Sequence, residues 1–263
     1  MTFFKTLGMS FILLTSLLAS APGLCGDAKH FTILLDPGHD YESIGTKSST
    51  GVGEYKFNHR FTNELSDELK RQGYSIMLTH TEEETSSLSD RVKFRDYDLF
   101  ISIHHDSIDP EYCITMTKDN VCTTYSGYGY SLWISPENSH YRSSLKIAKL
   151  IGEELTASKF IHSVHHVMVT QREVIDRRTG IFSFPKCYVL RHNTKPAILI
   201  EIAVITNPID ENNANDPKFR KDFIKNIVEG VNRYVNEQHR NNQSPRQSEK
   251  LSQKKNKRQE MKF

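Results

Sequence analysis

The sequence has almost no net charge. Its 34 Lys/Arg and 32 Asp/Glu leave +2 over 263 residues. What basic excess exists is confined to the end. Arg240 to Phe263 hold eight Lys/Arg and two Asp/Glu, which leaves 26–239 with 25 basic and 30 acidic residues. A nucleic-acid binder carries a basic stripe on its folded body, so this distribution excludes nucleic acid as a partner. Internal repeats are absent. Beyond residue 25 no apolar run is long enough to span a bilayer, so no transmembrane span is expected. Cysteine is scarce, with Cys25, Cys113, Cys122 and Cys187 only. Wholesale disorder is excluded by a composition that is 37% hydrophobic and 25% charged.

The first 25 residues read as a signal peptide. Lys5 supplies the positive start, Leu7 to Leu18 is an apolar run, and Ala19-Ser20-Ala21 has the small-x-small pattern of a cleavage site. Gly23-Leu24-Cys25 is a second candidate. The chain is therefore expected to be exported, as a periplasmic or secreted protein. In an oxidising compartment Cys113 and Cys122 are candidates to close a small loop by a disulfide, although their spacing also allows two free thiols.

Short apolar runs alternate with helical periodicities. Phe31–Leu35, Tyr74–Leu78, Leu99–Ile103, Tyr128–Ile134, Cys187–Leu190 and Ala197–Glu201 read as strands. Phe57, Phe61, Leu65 and Leu69 recur every four residues and predict a helix over 55–72 that Gly73 ends. Further helices are predicted at 89–95, at 139–158, and around Phe219, Phe223, Ile227, Val231 and Tyr234. Residues 107–127 read as a loop and 161–186 as irregular. This order predicts a single α/β domain over 28–238, with a mostly parallel or mixed central sheet flanked by helices. Residues 239–263, poor in apolar groups and rich in Lys, read as a basic, disordered tail free to contact anionic envelope components.

Chemistry-bearing residues sit at strand ends. His39 follows Leu34-Leu35-Asp36-Pro37-Gly38, His104 follows Leu99 to Ile103, and Glu201 closes Ala197 to Ile200. Ligands of open α/β sheets bind at the carboxyl ends of strands, where groups distant in sequence converge. Two histidines and a carboxylate can hold a catalytic zinc with one position left for water. A further carboxylate then serves as general base.

Ile33-Leu34-Leu35-Asp36-Pro37-Gly38-His39 resembles the first strand and metal turn of the zinc-dependent N-acetylmuramoyl-L-alanine amidases. Glu54-Tyr55-Lys56-Phe57-Asn58 is similar to that family's Glu-x-x-x-Asn at the start of its first helix. Asp98 to His104 resembles its third segment. Tyr188-Val189-Leu190-Arg191, Pro196 to Glu201 and Thr206-Asn207-Pro208 resemble its C-terminal segment. The resemblance implies one Zn²⁺ held by His39, Glu54 and His104, with Glu201 as the catalytic carboxylate. It also implies hydrolysis of the amide bond between N-acetylmuramic acid and L-alanine of peptidoglycan. Asp36 is a candidate partner for a ligand histidine, and Arg191 and Asn207 are candidates for substrate binding.

The chain departs from the family pattern in two places. His104-His105-Asp106 stands where His-Ala-Asn is usual, and Ile202-Ala203-Val204 stands where x-Gly-Phe is usual. His105 is thus a rival ligand, although alternation along a strand allows only one of the pair to face a metal. Division amidases of the family often carry a long insert that plugs the site with a helix. The 161–186 segment is short for one, so the domain is expected to work without an activator.

Three other features compete. Ser143-Ser144-Leu145-Lys146 is an S-x-x-K, and Arg178-Thr179-Gly180 resembles the Lys-Thr-Gly element of penicillin-binding proteins. On that reading Ser143 and Lys146 would support a serine-type D-alanyl carboxypeptidase activity. Chance alone supplies about one S-x-x-K in this length. His162, His165 and His166 form a cluster that reads as solvated histidines or as a metal or groove site. A non-catalytic peptidoglycan-binding module is the remaining alternative, and loss of a ligand or of Glu201 would be its signature.

Overall fold

A computed structural model describes residues 31–168 and 172–260, so the expected leader lies outside the described residues. In chain order the elements begin with β1 (Thr32–Pro37), α1 (Glu54–Arg71), β2 (Ser75–Leu78), α2 (Leu88–Arg91) and β3 (Leu99–Asp106). β4 (Thr115–Met116) and β5 (Cys122–Thr123) form a separate two-stranded hairpin. Then come β6 (Ser131–Ile134), α3 (Tyr141–Ala157), α4 (His165–Met168), β7 (Val174–Asp176), β8 (Ile181–Ser183) and α5 (Tyr188–Arg191). β9 (Ala197–Val204), α6 (Pro208–Asn215) and α7 (Pro217–Glu260) complete the chain.

Seven strands form one sheet in the order β2-β1-β3-β9-β6-β8-β7. β2, β1, β3 and β9 are mutually parallel. β6 runs antiparallel to β9 and parallel to β8, and β7 is antiparallel to β8. The sheet is therefore mixed and helix-flanked, as the sequence predicts.

Strand alternation divides the apolar residues between two layers. Ile33, Leu35, Ile101, Ile103, Ile198 and Ile200 face the long helices, where Phe61 and Leu65 of α1, Ile147 and Ile151 of α3, and Phe223 and Val231 of α7 cover them. Each such side chain contributes about 1.5–3 kcal/mol on full burial. α3 and α7 cross closely at Gly230, where an added Cβ would lie 2.8 Å from the Ile151 Cα. The other face carries Leu34, Phe100 and Leu199, packed with Trp133, Phe182, Val189 and Leu190. The short helices α2, α4 and α5 and intervening loops lie on that side, and the chemistry-bearing residues project there.

The structure corrects several element assignments. Cys187–Leu190 is not a strand; Cys187 caps the one-turn helix α5. Four apolar residues cannot distinguish the two states by periodicity. The 161–186 segment contains α4, β7 and β8, each four residues or fewer and so below what periodicity resolves. The 107–127 loop holds a short turn of helix at Pro110–Tyr112 and the β4–β5 hairpin, and a disulfide joins Cys113 to Cys122 with Cα atoms 5.5 Å apart. α7 continues to Glu260 through the segment read as disordered. Lys, Gln, Arg and Glu are good helix formers even where no apolar face exists. No helix among the described residues is long and apolar enough to cross a membrane.

Candidate active site

Three parallel neighbours bring the site together. β1 ends at Pro37 and hands the chain to Gly38 and His39, β3 carries His104, and β9 carries Glu201. His104 and Glu201 are in register on adjacent strands, so both project from the same sheet face. Glu54 is the first residue of α1 and arrives from the loop after His39.

Glu54 is the hub. His39 Nε2 lies 3.2 Å from its Oε2 and His104 Nδ1 lies 3.0 Å from its Oε1. One ligand atom from each of the three residues lies within 4.8 Å of the others. Asn58, one turn along α1, donates to Glu54 Oε1 at 3.0 Å and to the Gly38 carbonyl at 2.8 Å. The Thr46 backbone N–H donates to Oε2 at 3.1 Å. Burial opposes charge on Glu54, but the two histidines overcome it and hold its carboxyl well below the usual range. Burial would also lower His39, yet the contact with Glu54 wins and its pKa is raised.

The backbone is shaped for this approach. His39 itself has φ 65°, a left-handed conformation uncommon for a residue other than glycine. A Cβ on Gly38 would lie 2.3 Å from the His104 ring, and one on Gly45 would lie 2.4 Å from Glu54 Oε2. The glycines leave the space that the three donors occupy. Two imidazoles and a carboxylate within this radius fit a borderline divalent cation such as Zn²⁺.

Glu201 lines the same cavity, of about 860 Å³, together with His39 and His104. Its Oε2 is buried and has no hydrogen-bond partner among the described residues. Desolvation, then the nearby charges of Asp106 and Glu54, push its pKa well above the usual carboxylate value.

Arg91 is the component that sequence reasoning missed. Its guanidinium is buried and donates to the carbonyls of Pro37 (2.9 Å) and His39 (3.0 Å). Asp36 lies 3.4 Å from it and also accepts from Ser102 Oγ at 2.6 Å and Thr79 Oγ1 at 2.7 Å. Asp36 therefore braces the His39 turn through Arg91, where a direct bond to a ligand histidine was expected. A lone Arg in a polar stretch carries no signal of such a role.

Other expected residues lie apart. Arg191 Nε pairs with Glu137 at 2.7 Å, with both side chains about half exposed. Asn207 caps α6, accepting from Ile209 N at 2.9 Å and donating to the Gly127 carbonyl at 2.8 Å. His105 points to the helix layer, where its Nδ1 donates to Asn58 Oδ1 at 2.8 Å. Its ring meets Phe57 and Phe61. It is not a rival ligand.

Ser143 and Lys146 face α7. Lys146 pairs with Glu237 at 2.6 Å and Ser143 hydrogen-bonds Tyr234. Thr179 packs on Gly152, nine residues further along α3, roughly 13 Å away by helical rise. The penicillin-binding elements are thus not assembled, and neither Ser143 nor Lys146 lines the Glu201 cavity. The histidine cluster separates: His162 stacks edge-on against Tyr130, while His165 and His166 turn to Asp106.

A histidine on a turn, a glutamate at a helix start and a histidine on a strand, converging beside a buried carboxylate, are residue types able to hold a divalent cation in the way metal-assisted hydrolases do. The comparisons narrow this class. Residues 33–233 match the family described as N-acetylmuramoyl-L-alanine amidase, and the chain belongs to that family. It is 25% identical over 245 residues to N-acetylmuramoyl-L-alanine amidase AmiC of Neisseria meningitidis serogroup B, covering 82% of this chain and 55% of the relative. It is 28% identical over 207 residues to the probable cell wall amidase LytH of Staphylococcus epidermidis, covering 77% and 58%. The chain spans a little over half the length of these curated relatives. Among solved structures, the amidase Ami1 of Mycobacterium smegmatis superimposes with TM-score 0.63 at 19% identity, over 79% of this chain and 97% of that one. An amidase from Clostridium difficile 630 gives 0.62 at 24%, over 79% and 98%. These likenesses bear on the fold.

Proposed function

We propose that the chain is a zinc-dependent hydrolase that cleaves the amide bond between N-acetylmuramic acid and L-alanine of peptidoglycan. One observation carries the reading: His39, Glu54 and His104 converge beside Glu201 in a chain of this family. His39, Glu54 and His104 would hold one Zn²⁺, which when bound would polarise the scissile carbonyl and acidify a water. Glu201 is the general base. Its Oε2 has no hydrogen-bond partner among the described residues, which leaves it to take a proton from the attacking water and deliver it to the leaving amine of L-alanine. Arg91 keeps the His39 turn rigid, which fixes the first donor.

Export to the cell envelope goes with this substrate and with residues 1–25 as leader. The LytH relatives are named as cell wall amidases. The short 161–186 segment supports a domain that works without an activator. The test of the bond is product identity. A muramyl pentapeptide incubated with the purified chain should release a stem peptide with a new L-alanine amino terminus, seen by mass spectrometry. Loss of only the terminal D-alanine would instead indicate a carboxypeptidase.

A further inference from the structure

Glu201 lines a second, smaller cavity of about 210 Å³. Its wall includes Asp106, at the end of β3 just past the register shift after His104, and His165 and His166 of α4. One ligand atom from each of these three residues lies within 4.8 Å of the others. We propose that Asp106, His165 and His166 form a second divalent-cation site, selective for zinc-like borderline metals, in this second cavity beside Glu201.

The geometry is close to what such an ion requires. Ligands about 2.0–2.1 Å from a tetrahedral zinc stand roughly 3.3 Å from one another. His165 Nε2 lies 3.4 Å from Asp106 Oδ2. His166 Nε2 lies 2.6 Å from the same oxygen, so it needs to retreat by less than about 1 Å. The corresponding spacings around Glu54 are 3.2 and 3.0 Å. Each group is held from behind. His165 Nδ1 lies 2.5 Å from Ser163 Oγ, and such an outer contact fixes the ring and its tautomer for binding through the other nitrogen. That other nitrogen, Nε2, is buried on a side chain only 3% exposed and faces Asp106 Oδ2. Asp106 Oδ1 accepts from the Ser107 N–H at 2.8 Å, which orients Oδ2 toward the histidines. His166 is wedged between Trp133 and His165, with ring centroids at 4.6 and 3.9 Å.

The local charge favours a cation. Asp106, Asp109 and Glu201 line this cavity, against Arg172 alone among its basic side chains. Asp109 is exposed, but Asp106 is buried, and a buried carboxylate needs a compensating charge. A cation here would sit beside the base of the proposed reaction without using any donor of the Glu54 site. The inference does not depend on the first site being a zinc site.

The test is metal stoichiometry of the purified full chain after chelation, dialysis and zinc loading, read by mass spectrometry of the metal. Two zinc ions per chain are expected. The double substitution His165→Ala with His166→Ala should bind one, and His39→Ala with His104→Ala should bind the other. Saturation of the unaltered chain at one zinc that disappears with the His39 and His104 substitutions, and persists with the other pair, would overturn the proposal. One zinc with the reverse dependence would support it and count against the first site instead. Should the His165 and His166 variant fail to fold, anomalous scattering at the zinc edge from crystals of the unaltered chain decides. A peak within ligand reach of Asp106, His165 and His166 supports the site, and its absence from zinc-loaded crystals refutes it.

Discussion

His104 and His105 are adjacent, identical in type and both bonded into the surroundings of Glu54, yet they face opposite worlds. His104 points with Phe100, Ser102 and Glu201 to the thinly covered face of the sheet. His105 points with Ile101 and Ile103 to the helix layer, where it is buried against Phe57 and Phe61. The backbone period of two assigns one to chemistry and the other to the core. Desolvation shows the cost of the second position: it pushes the His105 pKa down to about 3, so that this imidazole stays neutral while Asn58 accepts from its Nδ1. Asn58 links the faces, since its amide nitrogen donates to Glu54 and its oxygen accepts from His105.

Substitutions on the two faces should therefore fail differently. On the open face, His104→Ala should remove the zinc held with His39 and Glu54 and lower turnover about 10³-fold or more, a loss of several kcal/mol of transition-state stabilisation. Zinc content and initial rates on a muramyl peptide measure both. Glu201→Gln should lower kcat by about 10²–10⁴-fold while zinc binding persists. Retained activity in that variant would move the base elsewhere. On the helix face, His105→Ala should leave zinc at Glu54 in place but cost about 2–3 kcal/mol in urea unfolding, from lost packing and an orphaned Asn58 oxygen.

The same contrast predicts a pH dependence. His105 has a folded pKa far below its unfolded value near 6.5. As pH falls below about 6.5 the unfolded chain takes up a proton that the folded chain refuses until about 3. Stability is thus complete above the unfolded pKa and is lost on acidification, by about 1.4 kcal/mol per pH unit for this group. Replacing His105 with Gln should flatten that part of the stability profile between pH 6 and 4. The smallest effect is expected at the S-x-x-K. Ser143→Ala should leave turnover unchanged, and Lys146→Ala should cost no more than about 1 kcal/mol, because its partly exposed pair with Glu237 is screened.

The parallel half of the molecule was legible because its strands are short continuous apolar runs and α1 repeats its apolar residues every four positions. The same runs put His39, His104 and Glu201 at strand ends, which is why their convergence could be anticipated. The other half was less so. β7 and β8 are three-residue strands whose pairing is set by neighbours rather than by pattern, and the apolar Cys187–Leu190 forms a helical turn. Long-range polar contacts were hidden for a different reason. Arg91 reaches back 52 residues to the His39 carbonyl, and His166 pairs across 60 residues with Asp106. Neither contact has a local periodicity that could announce it. The family resemblance supplied Glu54, whose role no strand-end argument would have found.

The central claim is that amide cleavage depends on a metal gathered by His39, Glu54 and His104. The most direct measurement is the rate of L-alanyl peptide release by the purified chain before chelation, after removal of metal and after zinc is restored, with Glu54→Gln treated in parallel. The account predicts activity that vanishes on chelation and returns with zinc in the unaltered chain, and no return in Glu54→Gln. Release of the same peptide at an undiminished rate from the metal-stripped chain would contradict it.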